Sequence, residues 1–318
     1  MPIGFGLGSS HASFVTMKKA EEWIEYYRFL IRDVPQPPEA ALESTEIIQS
    51  HIDRVHRAFQ ILAAKLAEYR PDLLIIIGGD QSEMFDDSNV PNIMIYAGEE
   101  ARGYTTHRRY QPGEEDIVRL KVDVDTSKRL LNQLVRKEGF DVAFSGELSP
   151  LGRSSQRRKT GVSHAFMRPA PFIIPRPDLP TVLIWENTYD PPSLPAKRCY
   201  ELGHALARFF KNDPRRIAIL GSGGLSHDPG GPRSGWIDEV LDRWFLDQMT
   251  SGNGQATTAM YQFDSMTMRG GTGEMRAWIT AAGAMEVMGS RAVVVDYIAA
   301  HHAVTGLGFA YWSTPVNA

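Results

Sequence analysis

The stretch Leu220-Gly221-Ser222-Gly223-Gly224-Leu225-Ser226-His227-Asp228-Pro229-Gly230-Gly231-Pro232-Arg233 decides the fold. The apolar run Ile217 to Leu220 breaks into glycines and ends on a histidine beside a Pro-Gly turn. Strands that stop this way present their last side chains at the carboxyl edge of an α/β sheet, where ligands bind. His227 therefore stands where a group with a near-neutral pKa can donate or accept a proton. His11 occurs in the same context, because the first apolar run, Ile3 to Leu7, gives way to Gly8-Ser9-Ser10-His11. Two histidines at two strand ends point to one shared pocket.

Working outward, apolar runs that read as buried strands recur at Leu73–Ile77, Ile93–Ala97, Phe140–Ser145, Phe172–Pro175, Thr181–Glu186 and Ala292–Asp296. Helical periodicity marks Met17–Arg32, Thr45–Tyr69, Ser127–Lys137, Ala196–Lys211, Gly235–Met249 and Gly273–Met288. This alternation predicts an α/β fold: a central mixed, largely parallel sheet flanked by helices. No short repeat or low-complexity linker interrupts it, so residues 1–318 read as one domain with long functional loops.

Composition narrows the function. The chain has 318 residues, 42% of them hydrophobic, and a formal charge of -4, enough chain for a full core and no reason to invoke nucleic acid. No run of eighteen apolar residues argues for a membrane span. The opening residues read as a strand rather than a signal peptide. Cys199 is the sole cysteine, which rules out an internal disulfide or a Cys-rich zinc site and fits a reducing cytoplasm. Arg153, Arg157, Arg158 and Lys159 form a basic cluster just before His164. It reads either as a solvated loop or as a contact for an anionic substrate or a partner chain.

Further candidates share the sheet edge. In Ile75-Ile76-Ile77-Gly78-Gly79-Asp80-Gln81-Ser82-Glu83 a strand again ends in glycines and delivers Asp80 and Gln81. In Arg269-Gly270-Gly271-Thr272-Gly273-Glu274 a glycine-rich entry puts Glu274 in the first turn of a helix, where the helix dipole favours a carboxylate. Two imidazoles and a carboxylate on one face suit non-haem iron(II). Spacing alone does not establish that set, because the candidates are spread along the chain. Ser226 and His227 are neighbours on an extended segment and point apart, so a serine nucleophile served by His227 is not expected.

On these residues the chain resembles the class III extradiol ring-cleavage dioxygenases, typified by the catalytic subunit of protocatechuate 4,5-dioxygenase. The resemblance runs from Gly4 to about Gly306. It is carried by Ser9-Ser10-His11, the Gly-Asp after the second strand and Pro195-Ala196-Lys197-Arg198-Cys199-Tyr200-Glu201-Leu202-Gly203. Gly223 to Gly235, Asp242 to Leu246, and Gly273-Glu274 through Met285 complete the set. The resemblance implies that His11 and Glu274 bind iron(II), that His227 is the acid/base, and that His164 lies close to the substrate. It also implies a small aromatic substrate and dioxygen, association into homo-oligomers, and in some members a small second subunit. Ser226 and Arg153 are expected to contact substrate. One position departs: where the family has Asn-Asp-His, with the histidine a ligand, this chain has Gly79-Asp80-Gln81.

Gln81 can serve as a weaker ligand or as a hydrogen-bond partner of the substrate. His51 is the other candidate. The helix Thr45–Tyr69 is about 37 Å long and the strand after it about 23 Å. The helix therefore overshoots the sheet edge and carries His51 to about the level of Gln81, with His56 slightly below. The expected activity is ring opening of a small aromatic with adjacent hydroxyls, or with a hydroxyl beside an amine or ring carbonyl. The rival readings are a non-catalytic partner subunit and a metal-dependent hydrolase or lyase on the same scaffold.

Overall fold

The computed structural model describes residues 3–81, 83–85, 89–105, 116–147, 161–263 and 265–314. The central sheet is built from β1 (Ile3–Ser9), β2 (Leu73–Gly78), β3 (Ile93–Tyr96), β6 (Ala143–Ser145), β7 (Thr181–Glu186), β8 (Ile217–Ser222), β9 (Ala292–Ala300) and β10 (Thr305–Ser313), in the order β6-β3-β7-β2-β8-β1-β10-β9. A separate hairpin pairs β4 (Glu100–Tyr104) with β5 (Ile117–Lys121). At the centre β7, β2, β8 and β1 run parallel, so their carboxyl ends share one edge. β3 joins β7 antiparallel, and β10 and β9 extend the β1 side antiparallel, which makes the sheet mixed as expected.

Both faces of the central strands are covered, which is why they read as unbroken apolar runs rather than as alternation. The period of two survives in three dimensions. Leu74, Ile76, Leu183, Ala218 and Leu220 face one core, with α2 (Thr45–Tyr69), α1 (Ala20–Ile31), α4 (His164–Met167) and α5 (Ala170–Ile173). Leu73, Ile75, Ile77, Val182, Ile184, Ile217 and Ile219 face the other, with α3 (Val124–Arg136), α6 (Ala196–Phe210), α7 (Glu239–Ser251) and α8 (Met275–Glu286). Burying each large aliphatic side chain contributes about 1.5–3 kcal/mol.

Local signals explain the helix boundaries. Ser44 caps α2 by accepting from the Ile47 N–H, and Arg70 ends it in the left-handed region at φ 54°. Asp123 caps α3 through the Thr126 N–H. α8 lies against the ends of β1 and β8 at backbone distance: a Cβ at Gly221 would sit 2.5 Å from the Ala277 carbonyl oxygen. That close approach brings the N-terminus of α8 to the shared sheet edge.

One expectation is corrected, and three strands are additional to those expected. Phe172–Pro175 is not a strand; Phe172 and Ile173 belong to α5, which follows Pro169. A short apolar run does not distinguish a buried strand from a buried helical turn, and a proline at the start favours the turn. The strand β10 was not anticipated, nor were β4 and β5. No helix among the described residues is long and apolar enough to cross a membrane.

Candidate metal centre

The carboxyl ends of β1, β8 and β2 deliver His11, His227 and Gln81 to one edge, and the turn before α8 delivers Glu274. The Glu274 carboxylate lies at the middle of the group. Its Oε2 accepts the Gly224 N–H at 2.9 Å and faces His11 Nε2 at 3.3 Å and His227 Nε2 at 3.5 Å. Its Oε1 accepts from Gln81 Nε2 at 2.9 Å. Burial works against the ionised form, but His11 and His227 outweigh it and hold the carboxyl well below the usual range.

Hydrogen bonding fixes the proton on each imidazole. Ser222 Oγ donates to the Ala165 carbonyl at 2.6 Å, so toward His11 Nδ1, at 2.9 Å, the hydroxyl accepts. His11 thus carries its proton on Nδ1, and its buried Nε2 has no hydrogen-bond partner. His227 Nδ1 donates to the Leu225 carbonyl at 2.7 Å, which turns Nε2 toward Glu274. Burial opposes charge on His227, yet Glu274, the Leu225 carbonyl and Asp242 raise its pKa. Two glycine backbones approach its ring closely: a Cβ on Gly224 would meet Cε1 at 2.8 Å, and one on Gly271 would meet Nε2 at 2.2 Å. The glycines of both loops leave the space that this imidazole occupies.

His164 enters from α4. Its Nδ1 donates to Glu83 Oε1 at 2.7 Å, and its backbone N–H lies 3.3 Å from both Glu83 oxygens. Its ring meets that of His11 edge to face, with centroids 4.8 Å apart. Burial, helped by Arg168 and His11 and opposed by Glu83, pushes its pKa down to about 4, so the imidazole is neutral at pH 7. Arg168 also donates to the His11 carbonyl at 2.8 Å. One nitrogen each from His11 and His164 and one Glu274 oxygen lie within 4.8 Å of one another.

The residues fit a divalent cation. His11 Nε2, which has no hydrogen-bond partner, faces the buried Glu274 Oε2 at 3.3 Å, and a nitrogen of His164 lies close by; two imidazoles and a carboxylate are a donor set that suits such an ion.

Two residues expected here are elsewhere. His51 sits against Glu43, with Nδ1 3.8 Å from Oε1, and Glu43 also receives the backbone N–H groups of His301 and His302. Height along α2 does not fix sideways position: α2 packs on β9 and β10, across β8 and β1 from the end of β2. His56 stacks on Phe172. Ser226 is fully buried and binds Asp242 through both its N–H and its hydroxyl, at 2.7 and 2.9 Å. It supports the loop under His227. Arg153 lies outside the described residues, as do Arg157, Arg158 and Lys159.

Sequence reading missed Ser222, Glu83, Arg168 and Tyr189. Burial, together with Glu274 and Asp228, pushes the Tyr189 phenol well up. Glu83 stands in the quoted Gly-Asp-Gln segment, but its partner is 81 residues away, and nothing local marks the pair.

Residues 38–308 match the family described as the catalytic LigB subunit of aromatic ring-opening dioxygenase, and the chain belongs to that family. It is 30% identical over 213 residues to the 2,3-dihydroxyphenylpropionate/2,3-dihydroxicinnamic acid 1,2-dioxygenase of Photorhabdus laumondii, covering 66% of this chain and 57% of that one. It is 29% identical over 187 residues to the enzyme of the same name from Rhodococcus jostii, covering 58% and 52%. The chain thus spans little more than half the length of these curated relatives. A crystal structure of an uncharacterized protein from Escherichia coli K12 is 16% identical, with a TM-score of 0.49, covering 80% of this chain and 91% of that one.

Proposed function

We propose that this protein opens the ring of a small aromatic bearing adjacent hydroxyls, or a hydroxyl beside an amine or ring carbonyl, using dioxygen and iron(II) held by His11 and Glu274. The observation that carries the reading is the unpartnered Nε2 of His11 facing Glu274 Oε2 at 3.3 Å. Family membership and the names of the relatives support the reaction class. When bound, iron(II) supplies the one-electron exchange that lets triplet dioxygen react with a closed-shell ring.

The chain's own residues handle protons and position. Ser222 holds His11 as the Nδ1–H tautomer, which keeps Nε2 free to bind. Gly224 and Gln81 anchor the two oxygens of Glu274 from different sides. His227 accepts the proton of a substrate hydroxyl at Nε2 and returns it to the opening ring. An imidazole is suited to such exchange, and Glu274, the Leu225 carbonyl and Asp242 favour its protonated form. The Leu225 carbonyl keeps Nδ1 out of that exchange.

The test is oxygen uptake by protein loaded anaerobically with iron(II), on a panel of catechols, aminophenols and hydroxypyridones. Uptake in step with loss of the aromatic chromophore is the expected result. Metal-dependent turnover without oxygen consumption would point to a hydrolase or lyase instead.

A further inference from the structure

We infer that His164, rather than Gln81 or His51, supplies the third protein ligand of the metal centre, with Glu83 orienting its imidazole and Gln81 steadying Glu274. The inference rests on the metal-dependent reading above and assigns the position that the Gln81 departure leaves open.

Three observations carry it. First, among the described residues, the one group of three potential ligands that converges is His11, His164 and Glu274, within 4.8 Å. Secondly, Glu83 grips His164 at both ring and backbone, through Nδ1 at 2.7 Å and the N–H at 3.3 Å. A carboxylate on Nδ1 fixes the ring and leaves Nε2 as the donor, which is how imidazole ligands of metals are held. Ser222 does the same for His11, so the two imidazoles are prepared alike. Thirdly, Gln81 turns its amide Nε2 to Glu274 Oε1 at 2.9 Å. An amide nitrogen has no lone pair to give a metal, and this bond selects Oε2 as the carboxylate oxygen that faces His11. His51 lies beside Glu43, with Nδ1 3.8 Å from Oε1, and is absent from the group.

The experiment titrates the whole chain with cobalt(II) under anaerobic conditions. Affinity is read by competition with a chromophoric chelator, and the ligands by the exchangeable, paramagnetically shifted imidazole N–H signals in proton NMR. His11→Ala, Glu274→Ala and His164→Asn should each lose at least about 100-fold in affinity, and Glu83→Gln about 10–100-fold. His51→Ala should bind as wild type does. Wild type should show two shifted N–H signals and His164→Asn one. Should His164→Asn fail to fold, the wild-type count still decides: two signals, one of them lost in Glu83→Gln, support the inference, and a single signal overturns it. A His164→Asn protein with wild-type affinity and both signals overturns the inference and leaves the ring-opening reading standing. A wild type that takes up no cobalt(II) or iron(II) overturns both.

Discussion

His11 Nδ1 and Ser222 Oγ lie 2.9 Å apart, and because the serine hydrogen is spent on the Ala165 carbonyl, the histidine must be the donor. This one bond decides which nitrogen of His11 has a lone pair to offer. Replacing Ser222 by Ala frees the imidazole to change tautomer and to rotate. Affinity for iron(II) or cobalt(II) should fall about 10–100-fold, measured by chelator competition, with circular dichroism unchanged.

His227 faces Glu274 through Nε2 at 3.5 Å, yet it is not one of the three converging donors. His227→Gln should therefore keep metal affinity and lose about 10²–10⁴-fold in kcat. Oxygen uptake under saturating substrate, beside a cobalt(II) titration of the same preparation, separates the two effects. Loss of metal binding in this variant would contradict the assigned role.

Gly271 makes a sharper test of the same imidazole. A Cβ there would lie 2.2 Å from His227 Nε2, and one on Gly224 2.8 Å from Cε1, so the ring fits only while both positions are glycine. Gly271→Ala should displace the ring and reduce kcat by about 100-fold, the lower end of the cost of losing a general acid–base. Cobalt(II) binding should survive. Steady-state rates and the metal titration together check it.

Glu186 yields a pH prediction remote from the metal. It is 1% exposed, hydrogen-bonded to Thr280, with Oε2 unpartnered, and burial pushes its pKa from 4.5 to about 8. A carboxyl raised in the folded state contributes stability that is complete below about pH 4.5 and is lost as pH rises toward 8. The loss is on the order of a few kcal/mol, at about 1.4 kcal/mol per pKa unit. Glu186→Gln should flatten that slope. Thermal melts from pH 5 to 9 should show Tm of the wild type falling by roughly 5 °C more than that of the variant.

The sequence by itself determined the layered α/β class, the limits of α2 and β7, and the strand ends that carry His11 and His227. Those follow from short-range rules: a period of two or 3.6, a serine cap, glycines where a strand stops. Only the tertiary structure decided what each side chain meets across the edge. The same periodicity placed His51 at a height along α2 but could not say which strands that helix covers. Lateral order depends on crossovers and on strands such as β10, which pairs with β1 from the far end of the chain. Glu83 finds His164, and Ser222 finds His11, across 81 and 211 residues. Such pairs are created by packing, and no local pattern encodes them.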